Sequence, residues 1–224
     1  MGEVVGDLLP LALGVAISPV PIIAVILMLF APRAGGASFG FLLGWLLGIV
    51  VATVVFRWLA TASDLDADSG GSTGAAWVKL LLGVVMLLLA VNQWRSRPAP
   101  GTRAELPKWM AAIDEFTAAK ALGLGFALSA INPKNLAMCA AAGVAIGAAA
   151  LSGGQQAVAV VVFTIIAGCT VAVPVLAYAV ARSRMRAPLD RLKVWLQENN
   201  ATVMFVLLLV IGVVLVGKGI AGAF

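Results

Sequence analysis

Seven consecutive residues, Ser129-Ala130-Ile131-Asn132-Pro133-Lys134-Asn135, interrupt an apolar run that extends from Ala118 to Ala150. A proline removes a backbone donor and clashes with the preceding helical turn, and a lysine at the centre of a bilayer costs about 2.5 to 3.5 kcal/mol on insertion scales. Any fold that buries this segment must therefore bring polar groups to it. An answering break, Ile17-Ser18-Pro19-Val20-Pro21, divides the run from Leu8 to Phe30. Interruptions at corresponding places in two halves of a chain point to the binding site of a secondary transporter.

The surroundings of both breaks are those of a membrane protein. Of 224 residues, 62% are hydrophobic and 11% charged, with a mean hydropathy of +1.07, which does not describe a water-soluble core. Six runs of spanning length are predicted: Leu8 to Phe30, Phe39 to Val55, Ala76 to Val91, the broken run Ala118 to Ala150, Ala157 to Val180, and Ala201 to Val216. The expected fold is an all-α integral membrane protein of six transmembrane helices, in which the first and fourth are broken. The head Met1-Gly2-Glu3-Val4-Val5-Gly6-Asp7 is acidic where a secretory signal needs positive charge, so the first run is read as a span.

Charge sets the expected topology. Arg33, then Arg95, Arg97, Arg103 and Lys108, then Arg182, Arg184, Arg186, Arg191 and Lys193 follow spans one, three and five, whereas the loops after spans two and four carry no Lys or Arg between their flanking residues. The net charge of +5 thus reports orientation and not nucleic-acid binding. The basic loops are expected to face the cytoplasm of a bacterial plasma (inner) membrane, with the chain multi-pass and both termini outside. Three spans per half make the halves inverted repeats: residues 1–94 form the first, 95–117 a cytoplasmic loop with an interfacial helix, and 118–224 the second. Pro19 and Pro133 each lie in the first span of their half, and Gly14-Val15-Ala16-Ile17-Ser18-Pro19 is weakly similar to Phe126-Ala127-Leu128-Ser129-Ala130-Ile131-Asn132-Pro133.

Other segments carry structural expectations. Gly36, Gly40, Gly44 and Gly48 are spaced by four, a ridge that lets another backbone approach. The loop Asp64 to Ser72 has alternating aspartates but lacks the twelve-residue calcium pattern with its closing Glu, so a solvated loop is expected. Trp109, Ile113 and Phe116, and later Leu189, Leu192 and Leu196, share faces at helical spacing and read as amphipathic interfacial helices. Pro174, beside Gly168 and Thr170, marks a kink or hinge in span five.

Ser18, Ser129, Asn132 and Asn135 have short polar side chains suited to bond the backbone groups that a helix break leaves free, or to contact a substrate. Lys134 is the sharper case. All ten acidic residues, Glu3, Asp7, Asp64, Asp66, Asp68, Glu105, Asp114, Glu115, Asp190 and Glu198, fall in expected loops or near the ends. The partners open to Lys134 are the carbonyl end of the first half-helix, a carboxylate folded inward, or an anionic group on cargo; alternatively the amine snorkels to the headgroups. The chain has no histidine, so no cofactor, metal site or enzymatic acid–base centre is expected. Cys139 and Cys169 lie inside expected spans and outside any C-x-x-C, which disfavours a redox role and reads them as packing residues.

The interrupted first span, the inverted repeat and Asn132-Pro133-Lys134 resemble the lysine-exporter superfamily of small bacterial efflux proteins. Ile17-Ser18-Pro19-Val20-Pro21-Ile22 and Ile131-Asn132-Pro133-Lys134-Asn135-Leu136 are most similar to its branch named for addressing sulfolipids and glycopeptidolipids to the cell surface. The resemblance covers essentially the whole chain and implies a plasma-membrane exporter, or an accessory protein, for polar envelope lipids. Amino-acid exporters of the superfamily tend to carry Pro-Gly-Pro in the first break, from which Ser18-Pro19-Val20-Pro21 departs.

The expected function is alternating-access export of an amphiphilic or anionic envelope lipid between the two breaks. In that reading Lys134 neutralises a head-group charge, Asn132, Asn135, Ser18 and Ser129 supply hydrogen bonds, and Pro19, Pro21 and Pro133 hold the broken ends open. Membrane lipids and a second copy of the chain in a homodimer are the expected partners. The alternatives are a small-solute, amino-acid-like efflux carrier, and a non-transporting partner of a lipid synthase or export machine.

Overall fold

The computed structural model of the protein describes residues 1–62, 73–97 and 108–223. The acidic loop from Asp64 to Ser72, and Arg103 and Glu105, lie outside them. Seven α-helices follow one another: α1 Gly2–Ala16, α2 Pro19–Phe30, α3 Ala34–Ala62, α4 Thr73–Arg95, α5 Ala118–Ala130, α6 Pro133–Gly147 and α7 Gly153–Ala223, with a 3₁₀ helix, Lys108–Glu115, before α5. Among the described residues there is no strand.

Four helical stretches are long and apolar enough to cross a bilayer: Ala34–Ala62, Ala76–Arg95, Gly153–Arg182 and Arg184–Ala223. A fifth crossing results if α1 and α2, bent by 52° at their break, count as one broken span. This is a multi-pass membrane protein. Helices α5 and α6, of 13 and 15 residues, each fall short of the roughly 20 that a bilayer requires.

Three boundaries differ from expectation. The basic segment after span five is not a loop, because α7 stays helical through Arg184 to Asn200 and departs from helical angles only at Ala181 (φ −133°, ψ 49°). Arg, Leu, Lys and Gln are strong helix formers, so the segment's positive charge did not signal a break in the backbone. The helix also passes through Pro174, where a kink or hinge is expected, with its break in helical angles at Ala181. In addition, Asp190 and Glu198 lie within α7 and not in a loop, while Glu3 and Asp7, near the N-terminus as expected, are in the first turns of α1. The segment with Trp109, Ile113 and Phe116 forms a 3₁₀ helix, and it buries Met110 and Ile113 in the core while Trp109 and Phe116 pack against it.

The glycine ridge of α3 packs as its spacing predicts. Gly40 lies against Ala118, Gly44 against Leu122, and Gly48 against Phe126 and Ser129. Residue numbers rise together along both helices, so α3 and α5 run parallel. Gly125 answers from the other side, where an added Cβ would lie 2.8 Å from the Trp45 nitrogen. At such a contact only glycine lets the backbones meet. The line continues onto α6, with Gly143 against Thr53 and Arg57, and Gly147 against Arg57 and Ala60. The broken pair α5–α6 therefore lies along the length of α3.

The first broken pair has the same relation to the first limb of α7. Thr170 bonds Ala16 at the end of α1, and Tyr178 lies against Phe30 at the end of α2, with ring centroids 6.3 Å apart, so these helices too run parallel. The second limb of α7 instead runs antiparallel to α4: Leu87 meets Gly212, Gly83 meets Val216, Leu80 meets Gly219 and Ala76 meets Gly222.

Candidate functional site

Each break is built by a proline at the first position of the following helix. There its missing N–H is one that no helical carbonyl would accept, and its fixed φ suits the helix start. Pro19 opens α2 behind Ser18, and Pro133 opens α6 behind Asn132. Asn132 caps its helix in the ordinary way, accepting the Lys134 N–H at 3.0 Å. Ser18 makes no such cap. Its hydroxyl is turned toward the other break.

The two breaks are joined there by a single polar chain. The Lys134 ammonium donates to the Gly14 carbonyl at 2.7 Å and to Ser18 Oγ at 2.6 Å. The Ser18 hydroxyl donates to Asn135 Oδ1 at 3.2 Å, and Asn135 Nδ2 donates to the Leu128 carbonyl at 2.9 Å. Lys134, Ser18 and Asn135 are 5%, 3% and 1% exposed. The amine therefore does not snorkel to the surface.

Among the described residues Lys134 forms no ion pair. Its charge rests on the last turn of α1, whose carbonyl end carries about half a negative charge, and on one hydroxyl. An ammonium has three donors, and two are used. The third finds no acceptor among the described residues.

The other expected site residues are distributed around this chain. Ser129 is buried, but its hydroxyl donates to Gly125 and Phe126 of its own helix, at 2.9 and 3.0 Å, and faces Gly48. Pro21 lies in the first turn of α2, inside the core. Pro174 lies within the first limb of α7 and makes no break. Thr170 was read only as a neighbour of a hinge, yet its hydroxyl donates to the Ala16 carbonyl at 2.5 Å. A lone hydroxyl in an apolar span was the available signal.

Toward the outer ends of α1 and α7, a cavity of about 480 Å³ opens among α1, α4, α6 and α7. Glu3, Asp7, Lys79 and Lys218 line it, and Asp7 and Lys218 form an ion pair that ties α1 to α7. A narrower slot continues inward past Leu11, Ala141, Ile211 and Leu215. Ile211, which lines the slot, also lies with Met138 against Gly14, the residue whose carbonyl holds Lys134.

Against this geometry, the chain's relationships can be stated. Residues 8–221 match the family described as Sap, sulfolipid-1-addressing protein. The chain belongs to that family. Membership ties this membrane protein to a lipid-related role. No curated protein and no solved structure matches the chain.

The Sap-family chain offers few alternatives to the Lys134 centre. Among the described residues, no three His, Cys, Asp or Glu side chains gather in a way that could hold a metal. Cys139 is buried and Cys169 half-buried, and neither is bonded to the other.

Proposed function

We propose that this protein is a transporter that moves an anionic envelope lipid, of the class its family name indicates, from the cytoplasmic to the outer leaflet. Lys134 recognises the head group. The reading is carried by one observation: among the described residues, a buried ammonium at the junction of two helix breaks has only a carbonyl and a hydroxyl as partners. A full anionic charge binds an ammonium more strongly than a helix end does. Cargo would therefore displace Gly14 and Ser18 from Lys134 and loosen the junction of the two halves. The lipid tails remain in the bilayer, so the path needs few polar groups.

In this reading α5 and α6 together form a sixth crossing, and the two halves are inverted repeats. The parallel packing of α3 on α5–α6 and of the first α7 limb on α1–α2 supports it, because a two-fold in the membrane plane exchanges these pairs. The basic ends face the cytoplasm of a bacterial inner membrane, by the charge bias of the loops. The slot between Lys134 and the outer cavity is the exit, closed here by Met138 and Ile211 on Gly14 and latched by the Asp7–Lys218 pair.

The test is reconstitution into vesicles carrying a labelled anionic lipid in one leaflet, with a labelled amino acid supplied in parallel. The lipid should change leaflets and the amino acid should not cross. Movement of the amino acid alone would establish the small-solute reading instead. If export in cells survives Lys134→Ala but is abolished by charge reversal at Arg184 and Arg186, the protein is a non-transporting partner.

A further inference from the structure

A second basic centre lies at the opposite end of the molecule from the Asp7–Lys218 pair. Helices α3 and α5 begin there side by side, so that a Cβ added at Gly36 would lie 3.8 Å from the Ala118 side chain. Between them is a cavity of about 370 Å³, bordered by Arg33, Phe116, Thr117 and Arg182. No carboxylate lines it among the described residues. Asp190 is engaged with Lys193 at 2.7 Å, and Asp114 and Glu115, which precede Phe116, are exposed.

Arg33 has no partner among the described residues, whereas Arg182 is positioned. Its guanidinium lies 5.6 Å from the Tyr178 ring centroid, and its Nε donates to the Tyr178 hydroxyl at 3.4 Å. This leaves the terminal nitrogens of Arg182 directed to other acceptors. The N–H groups of Gly35, Gly36, Ala118 and Ala119 also find no acceptor among the described residues, so two parallel helix ends add positive partial charge to that of the arginines. Arg182 borders a second cavity of about 220 Å³, whose walls include Leu29, Phe39 and Val175. Phe39 is 59% exposed, near the start of an apolar helix long enough to span a bilayer. A cationic pocket thus continues into an apolar one.

We propose that this pocket is a loading site for the anionic head group of a lipid in the adjoining leaflet, with an acyl chain along Leu29, Phe39 and Val175. The apolar continuation selects a lipid over a free anion. The site deepens the export reading by supplying a step before Lys134, but its occupancy is measurable without any transport.

The experiment is native mass spectrometry of the full chain in detergent, with phosphatidylglycerol and phosphatidylcholine of identical acyl chains. The wild type should retain phosphatidylglycerol at about tenfold lower concentration, the equivalent of one charge-assisted contact. The Arg33→Gln/Arg182→Gln double variant should lose this preference. Arg95→Gln/Arg97→Gln, the same loss of two positive charges outside the cavity, should keep it, and Lys134→Gln is measured beside them.

Retention of the preference by the Arg33→Gln/Arg182→Gln variant overturns the proposal, as does an equal loss in Arg95→Gln/Arg97→Gln, which would indicate diffuse surface charge. If inorganic phosphate displaces phosphatidylglycerol at matched concentration, the pocket holds free anions and the lipid assignment fails. Loss confined to Lys134→Gln would place the head group at the central amine and remove this site while leaving the export reading intact. Both arginines are exposed, so unchanged melting temperatures of the variants are expected and are checked in the same preparations.

Discussion

The two helix breaks share a plan but divide the chemistry. Both place a proline at the first position of the second half-helix and a polar residue just before it. At the second break the polar groups serve their own segment: Asn132 caps α6, Asn135 bonds Leu128, and the Ala127 carbonyl accepts the N–H groups of Ile131 and Asn132. At the first break the polar groups are given to others. Ser18 leaves its helix uncapped to bond Lys134 and Asn135, Gly14 accepts Lys134, and Ala16 accepts Thr170. The difference teaches that the second break is self-supporting and supplies the ammonium, whereas the first accepts it, returns one hydroxyl donor to Asn135, and is completed by other elements. Such a junction can come apart on one side without unravelling the other.

Substitutions at the junction test this division. The largest stability effect is expected for Asn135→Leu, which leaves the partly buried Leu128 carbonyl without its side-chain donor and the Ser18 hydroxyl proton without an acceptor. A loss of about 2 to 3 kcal/mol, from unmade buried hydrogen bonds, should appear in thermal denaturation in detergent. Exchange of the two cap residues sharpens the contrast. Asn132→Ser should be close to neutral, because serine caps as well as asparagine, whereas Ser18→Ala should lower stability by about 1 kcal/mol through the lost hydroxyl and reduce lipid movement as well. Equal effects at both positions would show that the breaks are interchangeable. Of the substitutions that delete a bond, the smallest effect is expected for Thr170→Val, about 0.5 to 1 kcal/mol, since Ala16 still accepts the Ser18 N–H at 2.9 Å.

The breaks were legible in the sequence because proline and polar residues are conspicuous in apolar runs, and so was the α3 ridge, because glycines four apart share a face. Among the partners open to Lys134 was the end of the first half-helix, but only folding selects it, since Gly14 and Lys134 are 120 residues apart. Thr170 stayed hidden for the same reason. The small-residue contact between α4 and α7 was missed because Gly212 and Gly219 are seven apart, two helical turns on one face, and not four. The shared face of Leu189, Leu192 and Leu196 announced a helix between Arg184 and Asn200, but its continuity with the flanking spans was missed because the basic residues were read as marking a loop, although their helix propensity is high.

The claim on which this account rests is that Lys134 is a recognition group and not a staple between the halves. Lys134→Met decides between them when leaflet-to-leaflet movement of an anionic lipid and thermal stability are measured on the same reconstituted protein. Replacing a buried charge by an apolar side chain of similar length is often neutral or stabilising, so stability within about 1 kcal/mol of wild type is expected. Movement should fall by at least about thirtyfold, as for the loss of one buried charged contact worth about 2 kcal/mol or more. A variant that loses several kcal/mol of stability yet moves lipid at the wild-type rate per folded molecule would contradict the account.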